Sequence, residues 1–233
     1  MTENKKQQEL FDKSWGLYRR IVDADYMHHR QFAELTMEKL SFFPDKQPIT
    51  LLDLGCGDGS PILPILKSKS INAYTGYDLS ETAIDYCRMN LSTTAANLNL
   101  KCGDMTQLIL QEENTFDVIY SSYAIHHLND TDKAYLFKMI GKYLNEGGKF
   151  IYIDVFRDEN ISLEKYRKEY SDDILKWDIV DDREKAEVIA HISEFDKPAF
   201  ISDIKSWLED ASLRIEDFYS SDKKHMLLYS IKV

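Results

Sequence analysis

Apolar positions along this chain follow two alternating rhythms. Runs of five or six residues at Ile49–Leu54, Ala73–Asp78, Leu98–Cys102, Phe116–Ser121 and Phe150–Val155 read as strands. Ser80–Ala95 and Thr131–Leu144 instead repeat apolar residues three and four apart, the helical period, and the second is followed by a stop at Asn145–Gly148. The alternation predicts an α/β fold: βα units forming a doubly wound, mostly parallel sheet covered on both faces. Pro61 and Pro64 fall in the first turn after the first strand, where the missing N–H has no helical partner anyway. Leu213–Tyr219 and His225–Lys232 read as two closing strands around the turn at 220–224, bringing the count to a seven-stranded sheet.

Two stretches break this pattern. Residues 1–45 and 157–200 are aromatic, charged and helical in character. The predicted organisation is therefore one domain, 1–233, in four parts: an N-terminal helical lid (1–45), a core (46–156), a helical lid insertion (157–200), and a C-terminal helix and hairpin that complete the sheet (201–233). Ligands of open α/β sheets bind beyond the carboxyl ends of the strands, so Gly55, Asp78, Asp104, Ser121 and Asp154 are expected around one crevice.

Candidate chemistry begins at Leu51-Leu52-Asp53-Leu54-Gly55-Cys56-Gly57-Asp58-Gly59-Ser60, an apolar strand running into a glycine turn flanked by carboxylates. Glycines at 55, 57 and 59 allow positive φ and close backbone approach to a ligand. Asp53 and Asp58 repel a pyrophosphate but suit a ligand carrying an ammonium and a sulfonium, which argues against a nicotinamide dinucleotide. The segment resembles motif I of the class I S-adenosylmethionine (SAM)-dependent methyltransferases. Further segments match: Gly76-Tyr77-Asp78-Leu79, Cys102-Gly103-Asp104-Met105, and Phe116-Asp117-Val118-Ile119 followed by a loop ending His126-His127-Leu128.

The resemblance implies a Rossmann-like fold with an antiparallel last strand, SAM as cofactor and S-adenosyl-L-homocysteine as product. It implies that Asp78 and Leu79 meet the ribose, that Asp104 and Met105 meet the adenine, and that Ser121 ends the strand beneath the transferred methyl. Tyr18 or Arg30 is expected to reach the methionine carboxylate. Tyr123, Asp154, Tyr166 and Tyr170 are the expected acceptor contacts.

Displacement at a sulfonium methyl needs an aligned acceptor and a destination for its proton. The base candidates are His126 and His127, with Tyr26 and His29, one helical turn apart, as rivals. No metal is expected: no His-Glu-x-x-His spacing occurs, and the neighbouring pairs 28/29 and 126/127 would point apart in regular structure.

A formal charge of −11, from 29 basic and 40 acidic residues, disfavours nucleic acid or an anionic membrane surface as partner. The N-terminal residues lack a signal-peptide pattern, and Cys56, Cys87 and Cys102 form no C-x-x-C pair. A cytoplasmic methyltransferase, monomer or homodimer, acting on oxygen or nitrogen of a small-molecule acceptor is the expected function. The loop 121–124 lacks the Pro-Pro-Tyr signature of amino-methylating nucleic-acid enzymes. Alternatives are a protein or tRNA methyltransferase, or a SAM-binding partner subunit without catalysis.

Overall fold

The computed structural model describes residues 15–41, 43, 48–68, 71–94, 96–222 and 224–233. Helical residues 15–23 (α1) and α2 (His29–Leu40) precede β1 (Ile49–Leu54), α3 (Leu63–Ser68), β2 (Ile71–Asp78), α4 (Glu81–Leu91), β3 (Asn97–Cys102), α5 (Met105–Leu108) and β4 (Phe116–Ser122). Then follow α6 (Asp130–Tyr143), β5 (Leu144–Val155), α7 (Leu163–Ile174), α8 (Asp182–Phe195), α9 (Ile201–Asp210), β6 (Leu213–Ser220) and β7 (His225–Lys232).

The seven strands form one sheet in the order β3-β2-β1-β4-β5-β7-β6. All neighbours from β3 to β5 pair in parallel, while β7 runs antiparallel to both β5 and β6. The order reverses between β1 and β4, so their carboxyl ends open the crevice at the switch point.

Apolar residues of the central strands divide between two cores, one on each face. Ile49 and Leu51 of β1 join Val118, Ile151 and Ile153, whereas Leu52 and Leu54 join Ile119, Phe150 and Tyr152. Burial on both faces is why β1 reads as an unbroken apolar run rather than an alternating one. The edge strand β6 has mainly one buried face and alternates.

Local chemistry sets most boundaries. Ser80 caps α4 by accepting from Ala83 N, and Asn129 caps α6 by accepting from Asp132 N. Asp181 and Glu184 form a reciprocal capping box at the start of α8. Two expectations are corrected here. Helix α4 ends at Leu91 rather than Ala95, where Ser92 and Thr94 hydroxyls take up the carbonyls of Met89 and Leu91. Asn145–Gly148 does not lie beyond a helix as a separate stop: the strand β5 already begins at Leu144.

The insertion and the N-terminal helices touch each other above the crevice. Tyr26 stacks on Trp177 with ring centroids 4.5 Å apart, and Arg20 pairs with Glu184. At the base of the insertion, Arg157 bridges to Phe200 and lays its guanidinium over that ring at 3.9 Å.

Candidate active site

The turn after β1 is built as its glycines suggest. Gly55, Gly57 and Gly59 have φ of +80°, +53° and +72°. A Cβ on Gly55 would lie 2.2 Å from Ala124 Cβ, so the turn can pass the β4 loop only without a side chain. Asp78, at the end of β2, holds the turn: its Oδ2 accepts from Gly57 N and its Oδ1 from Ser80 N, both at 2.9 Å. Asp58 serves the turn too, accepting from Ser60 N and Oγ.

Two cavities meet above these strand ends. The polar one is lined by Trp15, Gly55, Gly57, Asp78, Leu79, Asp104, Met105, Ser122 and the β4 loop. The other is apolar, with Leu17, Ile21, Met27, Val155, Trp177, Val188 and Ile192 in its wall, and encloses about 860 Å³ out to its solvent mouth. Tyr18, Tyr123 and His127 line both cavities. Tyr123 is fixed at this junction by donating to the Met27 carbonyl, from a residue with φ of +53°.

Residues 51–148 match the family described as a methyltransferase domain. The chain is also 30% identical over 171 residues to phosphoethanolamine N-methyltransferase 1 of Triticum aestivum, covering 71% of this chain and 33% of that protein. Against demethylmenaquinone methyltransferase of Leptospira interrogans it is 29% identical over 112 residues, 47% of this chain and 44% of that one. The core is similar to a methyltransferase domain. This chain thus spans under half the length of these curated relatives. Its fold matches that of magnesium protoporphyrin IX methyltransferase from Synechocystis PCC 6803, solved with S-adenosylhomocysteine, with a TM-score of 0.70 and 14% identity, covering 99% of this chain and all of that one.

Within the matched segment, Asp53 lies beneath the glycine turn, buried, accepting a hydrogen bond from Tyr74 at 2.7 Å. Burial and the Asp78 charge raise its pKa to about 7 despite that bond. Asp104 caps α5 by accepting from Thr106 N while lining the polar cavity. Trp15 also lines it and carries a buried indole N–H that has no hydrogen-bond partner among the described residues.

Several predicted site residues stand elsewhere. Ser121 is fully buried and donates to the Leu54 carbonyl; strand alternation turns its neighbour Ser122 to the cavity instead. Arg30 donates to the Asp23 carbonyl and lies outside both cavities. Tyr26 and His29 do not share a helical face, because residues 25–28 form a turn with positive φ at Asp25 and His28. Tyr26 is bonded to Asp178 in the insertion, and His29 is half-buried, edge-on against Tyr123, its pKa lowered to about 4 by desolvation of the ring. Tyr166 is buried outside the cavity walls, whereas Tyr170 lines the apolar cavity and bonds His225.

The histidine pair is the largest departure. Ile125–His127 forms a single 3₁₀ turn, which brings the two rings to 4.0 Å between centroids instead of pointing them apart. Asp154 grips His126 twice, accepting from its backbone N at 3.0 Å and pairing with Nδ1 at 2.5 Å. Asp154 is thus a buried support for His126 and not an acceptor contact. Burial opposes charge on His126, but Asp154 and Asp196 outweigh it and raise the pKa to about 10, so the ring is an imidazolium at neutral pH. His127 is pushed the other way, by burial and then by the His126 and His191 charges, and remains neutral.

Asp196 was not visible as a site residue in the sequence. It reaches the pair because Lys197 N donates to the His126 carbonyl at 2.9 Å and Lys197 Nζ to the His127 carbonyl at 3.3 Å, docking the end of the insertion on the β4 loop.

Proposed function

We propose that this protein transfers the methyl group of SAM to an oxygen or nitrogen of a largely apolar small molecule. The observation that carries this reading is the pair of cavities, one lined by the methyltransferase motifs and one by apolar lid residues, joined at Tyr18, Tyr123 and His127. When bound, SAM supplies a methyl carbon activated by its sulfonium. Asp78 and Leu79 hold its ribose, Asp104 and Met105 its adenine, and the Trp15 indole N–H, with Tyr18, its methionine carboxylate. These fit the polar cavity, where Asp78, Asp104 and Asp132 outnumber Lys197 and so complement a cation.

The lids exclude water and align the acceptor, which removes much of a bimolecular barrier. His126 is already protonated and clamped, so it holds charge and position. His127, neutral and facing both cavities, is the imidazole able to receive the acceptor's proton. Incubation with methyl-labelled SAM and fractionated metabolites should yield a product heavier by one methylene, detected by mass spectrometry. Absence of any labelled product alongside firm SAM binding would favour a non-catalytic subunit.

Asp53 makes the donor's affinity pH-dependent. Its pKa of about 7 in the free protein means that a cation bound nearby favours ionisation and expels a proton. Affinity for SAM should therefore rise as pH goes from 6 to 8, with proton release measurable by calorimetry in buffers of different ionisation heat. Asp53→Asn should flatten this dependence; an unchanged slope would place the proton on another group.

A further inference from the structure

The six histidines are not scattered. Three of them surround one carboxylate oxygen: Asp196 Oδ1 lies 3.4 Å from His126 Nε2, 3.6 Å from His127 Nδ1 and 3.7 Å from His191 Nε2. These separations are long for hydrogen bonds, and Asp196 Oδ1, though buried, accepts none. They match a different geometry. Donors held ~2.0–2.1 Å from a tetrahedral ion are about 3.4 Å apart. The ligand atoms of His126, His127 and Asp196 all lie within 4.8 Å of one another.

The surroundings fit as well. His126 presents Nε2 to the cluster while its Nδ1 pairs with the buried Asp154 carboxylate, the support that commonly orients a metal-binding imidazole and makes it more basic. Both Asp154 and Asp196 are almost fully buried. His126, His127 and Asp196, with His191 beside them, line the apolar cavity. A second triad, His28, Asp222 and His225, lacks these features. Its contacts of 2.8 and 3.2 Å are ordinary hydrogen bonds, and the remaining nitrogen of His225 is used by Tyr170.

We propose that His126 Nε2, His127 Nδ1 and Asp196 Oδ1 form a binding site for one divalent d-block cation of the zinc class, with His126 releasing its Nε2 proton to solvent as the ion binds and His191 standing at the edge of the site. Imidazole and carboxylate donors without thiolate suit such ions. The site ties α8 of the insertion to the loop after β4. It sits beside the junction of the two cavities, where the position left open by the three protein ligands admits an acceptor oxygen, deprotonated on binding with its proton lost to solvent. In the ion-bound protein His127 is then a ligand and the ion assumes the base's task. This role rests on the methyltransferase reading; the binding site itself does not.

The test uses the full chain, stripped with a chelator and titrated with Co(II) as the probe. One equivalent per chain with an intense visible spectrum of tetrahedral type, displaced by Zn(II), is the expected result. Asp196→Asn and His127→Ala should each weaken Co(II) binding by about 100-fold or more, and Asp154→Asn by the ~10–100-fold usual for a supporting carboxylate. His28→Ala should leave binding unchanged. The melting temperature, measured without metal, checks that each variant is folded; His127→Ala removes a ring that lines both cavities and keeps the test available if a buried variant misfolds. A weak aqueous-type spectrum, substoichiometric binding, or Co(II) affinity indifferent to both Asp196→Asn and His127→Ala overturns the proposal. Metal binding failing while SAM binds leaves the methyltransferase reading intact, and the reverse outcome leaves the ion site intact.

Discussion

Asp78→Ala is expected to lower SAM affinity by on the order of 100-fold or more. Two charge-assisted hydrogen bonds to ribose hydroxyls contribute roughly 1.5–3 kcal/mol each, and every ~1.4 kcal/mol is tenfold in affinity. The same carboxylate also holds Gly57 N and Ser80 N, so its removal loosens the glycine turn as well as emptying the ribose position. Asp78→Asn separates these effects, because an amide oxygen can still accept one of the bonds; an intermediate loss is expected. Titration calorimetry with SAM reads both. Equal affinity in Asp78→Ala and the unaltered protein would move the ribose to another acid.

Gly141→Ala is expected to destabilise the fold by about 3 kcal/mol, the upper end of common overpacking costs. Its added Cβ would stand 2.2 Å from the Ala211 carbonyl oxygen, where α6 crosses the end of α9. Backbone is the obstacle, so no side-chain rotation relieves the clash. For a chain of this size the melting temperature should fall by about 6–12 °C. Gly147→Ala is the comparison: φ is +72° with nothing within 4 Å of the new atom, so only the left-handed strain of about 1–2 kcal/mol applies. Equal losses in the two variants would show that the α6–α9 crossing yields freely.

The parallel strands and their ends were legible because their apolar runs are uninterrupted and their termini are marked by glycine or acid. β1 and β7 begin and end where periodicity places them. The motif residues Gly55, Gly57, Asp78, Leu79, Asp104 and Met105 line one cavity, as nearness to successive strand ends requires. Ser121 was misplaced by one residue, and in a strand one residue reverses the face. The lids were harder. Tyr26 and His29 lie in and just after a turn that their helix-like sequence does not announce, and Arg30 has its guanidinium drawn to the Asp23 carbonyl.

No helix among the described residues is long and apolar enough to cross a membrane. That agrees with the absence of a long apolar run, and it is a property of local composition that one sequence window suffices to judge.

By itself the sequence determined the α/β architecture, the glycine turn and the acids around it, because each depends on residues close together in the chain. Only the tertiary structure decided which histidines act together. His126, His127, His191 and Asp196 come from a 3₁₀ turn and the end of a helical insertion some 64 to 70 residues apart, joined by backbone hydrogen bonds and a buried carboxylate. Their convergence is a product of packing between segments, which no local period encodes.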